Sequence, residues 1–121
     1  MTEHTESAAL RVALAYHRAW TSGDVDAAMA YVADDGFVCR APGGDLSGKE
    51  AFRDYLHGFV QVNTGLTDIA AFGDQEHALL FYCPHTATTT TAPAAEHFTI
   101  RGGRIAESTL VFDRLSFAPP Q

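Results

Sequence analysis

Cysteine is scarce in this chain, with Cys39 and Cys83 the only two, and they stand in no metal-ligand spacing. That scarcity argues against a disulfide framework and suits two buried thiols in a reducing compartment. Runs of Lys or Arg are missing, and the formal charge of -7 opposes a phosphate backbone. Nucleic acid and anionic membrane surfaces are therefore set aside as partners. No stretch has the apolar length needed to span a bilayer, and residues 1–7 lack the basic start and apolar run of a secretion signal. A soluble cytoplasmic protein is the expectation. The Gly-rich phosphate loop, the nucleophile elbow and the dinucleotide fingerprint are all absent, since Gly43-Gly44 and Gly102-Gly103 fall in predicted turns. The histidines His4, His17, His57, His77, His85 and His97 show no zinc spacing, so neither a cofactor nor a metal is expected.

What is present is enough for one domain over residues 1–121, with 46% apolar residues, 19% charged residues and 11% aromatics. Such a composition folds around a single core instead of remaining disordered. Ala9, Val12, Ala13, Tyr16, Ala19 and Trp20 recur at helical spacing and predict a first helix over 5–22, stopped by Gly23. Asp24 caps a short second helix through Val25, Ala28, Met29 and Val32. A strand over 37–41 leads into a turn at 42–44. Ser47 and Glu50 then form a capping box for a third helix whose apolar stripe is Ala51, Phe52, Tyr55, Leu56, Phe59 and Val60.

After Leu66 the pattern becomes that of strands, over 67–72, 77–86, 92–101 and 104–117. Gly102-Gly103 makes a two-residue hairpin turn, because such turns need positive φ and glycine reaches it cheaply. The threonine-rich stretch 86–91 suits strand ends and a hairpin tip better than a helix, and residues 118–121 read as a frayed tail. Helices first and a strand meander afterwards is an α+β order in which the helices cover one sheet face.

The run Tyr16-His17-Arg18-Ala19-Trp20-Thr21-Ser22-Gly23-Asp24, with Ala33-Asp34-Asp35, Gly48-Lys49-Glu50-Ala51-Phe52, Glu96-His97-Phe98 and Gly102-Gly103-Arg104-Ile105, resembles the SnoaL-like branch of the nuclear transport factor 2-like superfamily. The resemblance covers nearly the whole chain. It implies three N-terminal helices packed on a strongly curved antiparallel sheet, a cone-like α+β barrel with an internal cavity. Ketosteroid isomerases of this superfamily use a tyrosine on the first helix, a carboxylic acid on the penultimate strand and an aspartate base on the first strand. Tyr16 and Glu96 correspond to the first two. The base position falls on Arg40, which cannot take a proton because it is already charged. Limonene epoxide hydrolases hold an Asp-Arg-Asp set; Glu96 matches one acid, whereas Ala94 and Leu110 occupy the other two positions. Function must therefore be argued from the site.

Strand alternation sends Glu96, Phe98 and Ile100 to one face, opposite His97 and Thr99. Glu96 is thus expected in the cavity, either with its pKa raised by burial or paired with Arg40 and lowered. Tyr16 shares the face of Val12, Ala13, Ala19 and Trp20, so it is either a plain core tyrosine or one whose hydroxyl reaches a ligand. Arg40 either stabilises an anion with its forked donors or lies at the surface near Pro42. His85 at a strand end is a further possible base, and Asp113 has the parity of the outward side.

Three functional readings follow. In the first, a cofactor-independent isomerase, cyclase or hydrolase acts on an apolar or polycyclic molecule with Tyr16, Glu96 and Arg40 as catalytic residues. Trp20, Phe52, Tyr55, Phe59, Phe98, Leu110 and Phe112 would line the substrate site. The second is a non-catalytic domain that binds a small hydrophobic molecule in the same cavity or a partner protein on the open sheet face, and the third is a dimerisation domain with a filled core. A homodimer is expected in each, through the sheet face carrying Thr99, Thr109 and Val111.

Overall fold

The expected helical stripe of the N-terminal segment is realised in the computed structural model, which describes residues 6–118, as helix α1 over Ala8–Thr21. The Ser7 hydroxyl accepts from the Leu10 amide at 3.3 Å and sets the start of α1. Gly23, at φ +92°, ends it by turning the amides of Gly23 and Asp24 back to the carbonyls of Trp20 and Ala19. Asp24 then caps helix α2 (Val25–Met29), its Oδ1 accepting from the Ala27 amide at 3.0 Å. Residues 1–5 and 119–121, with the first position of the expected helix and the last three of the expected tail, lie outside the described part.

Strand β1 (Val38–Ala41) turns at Pro42-Gly43 into strand β2 (Gly44–Ser47), an element the sequence reading does not contain. This strand removes the expected capping box. Ser47 pairs with Val38 in the ladder, so its extended backbone cannot wrap onto a helix start. Helix α3 (Lys49–Val62) instead begins after Gly48 at φ +92°, whose amide donates to the Phe37 carbonyl at 2.7 Å.

Strands β3 (Gly65–Gly73), β4 (His77–His85), β5 (Ala94–Arg101) and β6 (Arg104–Phe112) form an antiparallel meander. The β5–β6 turn is the expected glycine pair, at φ +58° and +77°. The last strand stops at Phe112, five residues short of the expected end. There the Asp113 carboxylate accepts from the Leu115 amide at 3.1 Å and from the Ser116 hydroxyl at 2.8 Å, winding Arg114–Phe117 into a 3-10 turn. The 86–91 loop is tied to that turn, with the Thr88 hydroxyl donating to the Ser116 carbonyl at 2.7 Å.

The sheet order is β2-β1-β6-β5-β4-β3. It is mixed rather than wholly antiparallel: the chain leaves the β1–β2 hairpin through α3, enters the meander at the far edge, and returns with β6 parallel to β1. The sheet is open, with β2 and β3 as its edges, so helices and not strands complete the enclosure. Register shifts at Asp68/Ala70 and Thr99/Ile100 bend it. Helix α1 lies across β3 to β6, burying Ala9, Ala13, Tyr16, His17 and Trp20 against Leu80, Tyr82, Phe98 and Ile100. The α+β architecture with three helices on one sheet face is therefore as expected. No helix among the described residues is long and apolar enough to cross a membrane.

Candidate functional site

Alternation on β5 turns Ala94, Glu96, Phe98 and Ile100 inward, and Glu96 is the one charged side chain of that row, only 2% exposed. Two hydroxyls meet it. Tyr82 on β4 donates to Oε1 at 3.2 Å, and Ser108 on β6 donates to Oε2 at 2.9 Å. Burial pushes the Glu96 carboxyl from 4.5 up to about 7, with the Ser108 and Tyr82 hydrogen bonds holding it partly down. Behind Ser108 lies the Cys39 thiol, Sγ to Oγ 3.9 Å, and burial raises that thiol to about 12, so it stays protonated and inert.

Tyr16 comes down from α1 beside this group, its ring stacked 6.1 Å from Phe52 and edge-on 5.6 Å from Phe98. Its hydroxyl makes no protein hydrogen bond among the described residues, and burial followed by the nearby Glu96 charge keeps its pKa well above 10.0. Trp20, one turn further along α1, has its indole Nε1 buried without a partner among the described residues. Tyr16, Trp20, Tyr82, Glu96 and Leu110 thus surround a small inner chamber of about 40 Å³. It has room for a water or two, not for a ring system.

An outer cleft of about 470 Å³ adjoins it, lined by Ala41, Gly43, Gly44, Asp45, Leu46, Val62 and Arg114. Tyr55, Phe59, Phe112 and Phe117 belong to both spaces, so an aromatic layer is all that divides them. The cleft is of the size that small-molecule sites have.

The structure brings Tyr16 and Glu96 to one chamber, with Trp20, Phe52, Tyr55, Phe59, Leu110 and Phe112 in its walls. Phe98 lies behind Tyr16 in the core. Arg40 is not in this group. Cys39 takes the inner side of β1, and Arg40 with Val38 takes the outer, where its guanidinium meets Glu107 at 2.9 Å. A Glu96–Arg40 pair is therefore not formed, and Glu96 stays on the raised branch of the two alternatives. His85 Nε2 lies 2.8 Å from the Thr67 hydroxyl at the β3–β4 edge, away from both spaces, and Asp113 is the cap of the 3-10 turn. Among the described residues no group of three or more metal-ligating side chains assembles.

Sequence reasoning missed Tyr82 and Ser108, although parity with Leu80 on β4 and Leu110 on β6 points both inward. It also missed His17. This histidine is 3% exposed, with Nε2 3.0 Å from the Asp68 carboxylate and Nδ1 buried without a partner among the described residues. Its ring packs 4.7 Å from Tyr82 and 5.5 Å from Trp20, and burial lowers its pKa despite the opposing pull of Asp68.

A family model of the SnoaL-like domain matches residues 13–108. The chain belongs to the SnoaL-like family. Among solved structures, a protein from Kribbella flavida DSM 17836 is 47% identical, with 93% of this chain and 92% of that chain covered at a TM-score of 0.88. An NTF2-like protein of unknown function from Cytophaga hutchinsonii ATCC 33406 is 19% identical over 96% and 100% of the two chains, at a TM-score of 0.76. TerC, co-crystallised with polyporic acid, is 17% identical over 92% and 95%, also at 0.76. The last two show the shared fold of this SnoaL-like chain. No curated protein matches it significantly in sequence.

Proposed function

We propose that this SnoaL-like protein takes a small apolar, aromatic or polycyclic molecule into the outer cleft and, as the aromatic layer of Tyr55, Phe59, Phe112 and Phe117 parts, moves a proton on it with Glu96, without a cofactor. The observation that carries the reading is a buried carboxyl at about 7, bonded to Tyr82 and Ser108, at the floor of an aromatic-walled chamber. A group with that pKa is both a competent donor and a competent acceptor near neutral pH. Tyr16, neutral and with no hydrogen bond to its hydroxyl among the described residues, supplies one to a substrate oxygen. Isomerisation, cyclisation and hydrolysis all use such a pair; Arg40 is left out of the proposal by its outward position. That TerC was co-crystallised with polyporic acid supports a small-molecule role on the same fold.

The test is hydrogen–deuterium exchange at the carbon next to the carbonyl of 2-tetralone, an enolisable bicyclic ketone, followed by mass spectrometry. The native chain should accelerate exchange, and Glu96→Gln should lower the rate by ~10²–10⁴ while leaving ligand-induced quenching of Trp20, the only tryptophan, in place. A second reading, non-catalytic binding, is favoured by one observation: both Glu96 oxygens already accept hydrogen bonds. Quenching without accelerated exchange would select it.

A cytoplasmic homodimer completes the proposal. Cys39 and Cys83 are free and buried, as in a reducing compartment. The sheet face away from the helices exposes Phe72, Leu79, Phe81 and Val111, an apolar group that a second copy would cover. Sedimentation at micromolar concentrations should show a dimer that Phe81→Lys dissociates; a native monomer would refute it.

A further inference from the structure

Arg114 opens the C-terminal 3-10 turn and lines the outer cleft. Its guanidinium lies along the backbone of Gly43, so that a Cβ placed there would meet Arg114 Cζ and Nε at 3.9 Å. Arg40, Arg53, Arg101 and Arg104 are each paired with a carboxylate. Arg114, like Arg11 and Arg18 on α1, is not: among the described residues no carboxylate reaches it within ion-pair distance, and of these three it is the one that lines the cleft. An unpaired guanidinium beside an aromatic cleft, on a chain of net charge -7, leaves a fork of donors facing the ligand space.

We propose that Arg114 recognises an ionised acidic group, and that the ligand class of this cleft is an aromatic or polycyclic molecule bearing one such group. The inference rests on the small-molecule reading of the site given above. Tyr55, Phe59, Phe112 and Phe117 take the ring body, and the guanidinium takes the carboxylate, sulfonate or ionised enol. Asp45 on β2 is the other charged residue of the cleft lining, and it repels the acid. Attraction at the exposed Arg114 therefore holds the acid at the rim with the ring system among the cleft aromatics, while Asp45, also exposed and two residues from Gly43, weakens the binding of that acid without reversing it. That orientation also keeps the ligand charge away from the buried carboxyl, where a second negative charge would meet poor solvation.

Two fluorescent probes with one ring skeleton separate charge from apolar fit: 8-anilinonaphthalene-1-sulfonate and its uncharged analogue N-phenyl-1-naphthylamine. The native chain should bind the sulfonate more tightly than the neutral probe. Arg114→Gln should weaken the sulfonate about 5–10-fold, and Arg114→Lys should restore most of the loss, in the range of a partly exposed charge-assisted contact. The neutral probe should change less than twofold in both variants, and Asp45→Asn should tighten the sulfonate alone. Arg114 is exposed, so these variants fold as the parent does, which unchanged thermal unfolding verifies. A sulfonate preference that survives Arg114→Gln, or equal affinities for the two probes, overturns the assignment to Arg114 while neutral-probe binding preserves the cleft. If neither probe binds the folded chain, or if Phe117→Ala alters neither, the small-molecule reading itself fails and Arg114 with it.

Discussion

Ser108 sits diagonally across the β5–β6 pair from Glu96, and its hydroxyl donates to Glu96 Oε2 at 2.9 Å. The bond opposes what burial does to the carboxyl, so its loss has a defined sign. Ser108→Ala should move the Glu96 value upward from about 7, as read by carbon-detected NMR. Because the folded value of about 7 exceeds the ordinary 4.5, the fold holds this proton more tightly than the unfolded chain does. Its contribution to stability is full below pH 4.5 and is lost as pH rises through 7, a span worth about 3 kcal/mol in the buried limit. Glu96→Gln should remove that decline in urea unfolding measured at pH 4.5 and 8. A Glu96 value at or below 4.5 would end its role as a neutral-pH proton donor.

His17 carries the opposite slope. Its pKa is lowered from 6.5 by burial, with Asp68 pulling upward more weakly, so the fold prefers the neutral ring. The preference is satisfied above pH 6.5 and becomes a loss of stability as pH falls below it. Just below pH 6.5 the two groups therefore oppose one another, and the native chain should lose less stability with rising pH there than Glu96 alone would give. Glu96→Gln should expose a rise of stability with pH, and His17→Gln a fall. Asp68→Asn removes the upward pull and should lower the His17 value further, a change that ¹⁵N chemical shifts of the ring would report. A His17 titration above 6.5 would refute the dominance of burial.

Which parts of this arrangement were legible in the sequence depends on whether the signal was local. Gly23, Asp24 and the Gly102-Gly103 pair act through backbone conformation and nearest amides, and each does what its position predicts. The inward parity of Glu96 is likewise carried by its own strand. Strand β2 is not, because Gly44–Ser47 is four residues long with no buried position to mark an alternation. Its existence depends on pairing with β1, and that pairing in turn dissolves the capping box at Ser47. The choice between an inward and a surface Arg40 stayed open for a related reason. Parity groups it with Val38, but which side of β1 faces inward is decided by the parallel pairing with β6 and by α3 above it. Arg114 and Phe117 were assigned to the last strand, and only the Asp113 cap turns them onto the cleft.

Phe117 offers the sharpest test of how the two spaces communicate. Its ring lies 5.5 Å from Phe112 and 6.4 Å from Phe59, both edge-on, and it lines the outer cleft and the inner chamber alike. A 3-10 turn of four residues, held by the Asp113 cap and one threonine contact, is a light mounting for such a wall. Phe117→Ala should therefore join the spaces at a cost of about 1–2 kcal/mol, below that of a fully buried phenylalanine because the ring is only half-buried. Trp20, 3% exposed and lining the inner chamber, reports the opening directly. Acrylamide should quench its fluorescence weakly in the native chain and several-fold more strongly in Phe117→Ala. Leu115→Ala, in the same turn but 85% exposed, should leave both quenching and stability unchanged, which separates a local opening from general loosening. Equal quenching of Trp20 in native chain and Phe117→Ala would mean that Phe59 and Phe112 suffice to divide the spaces, and that a ligand in the cleft reaches Glu96 only by displacing them.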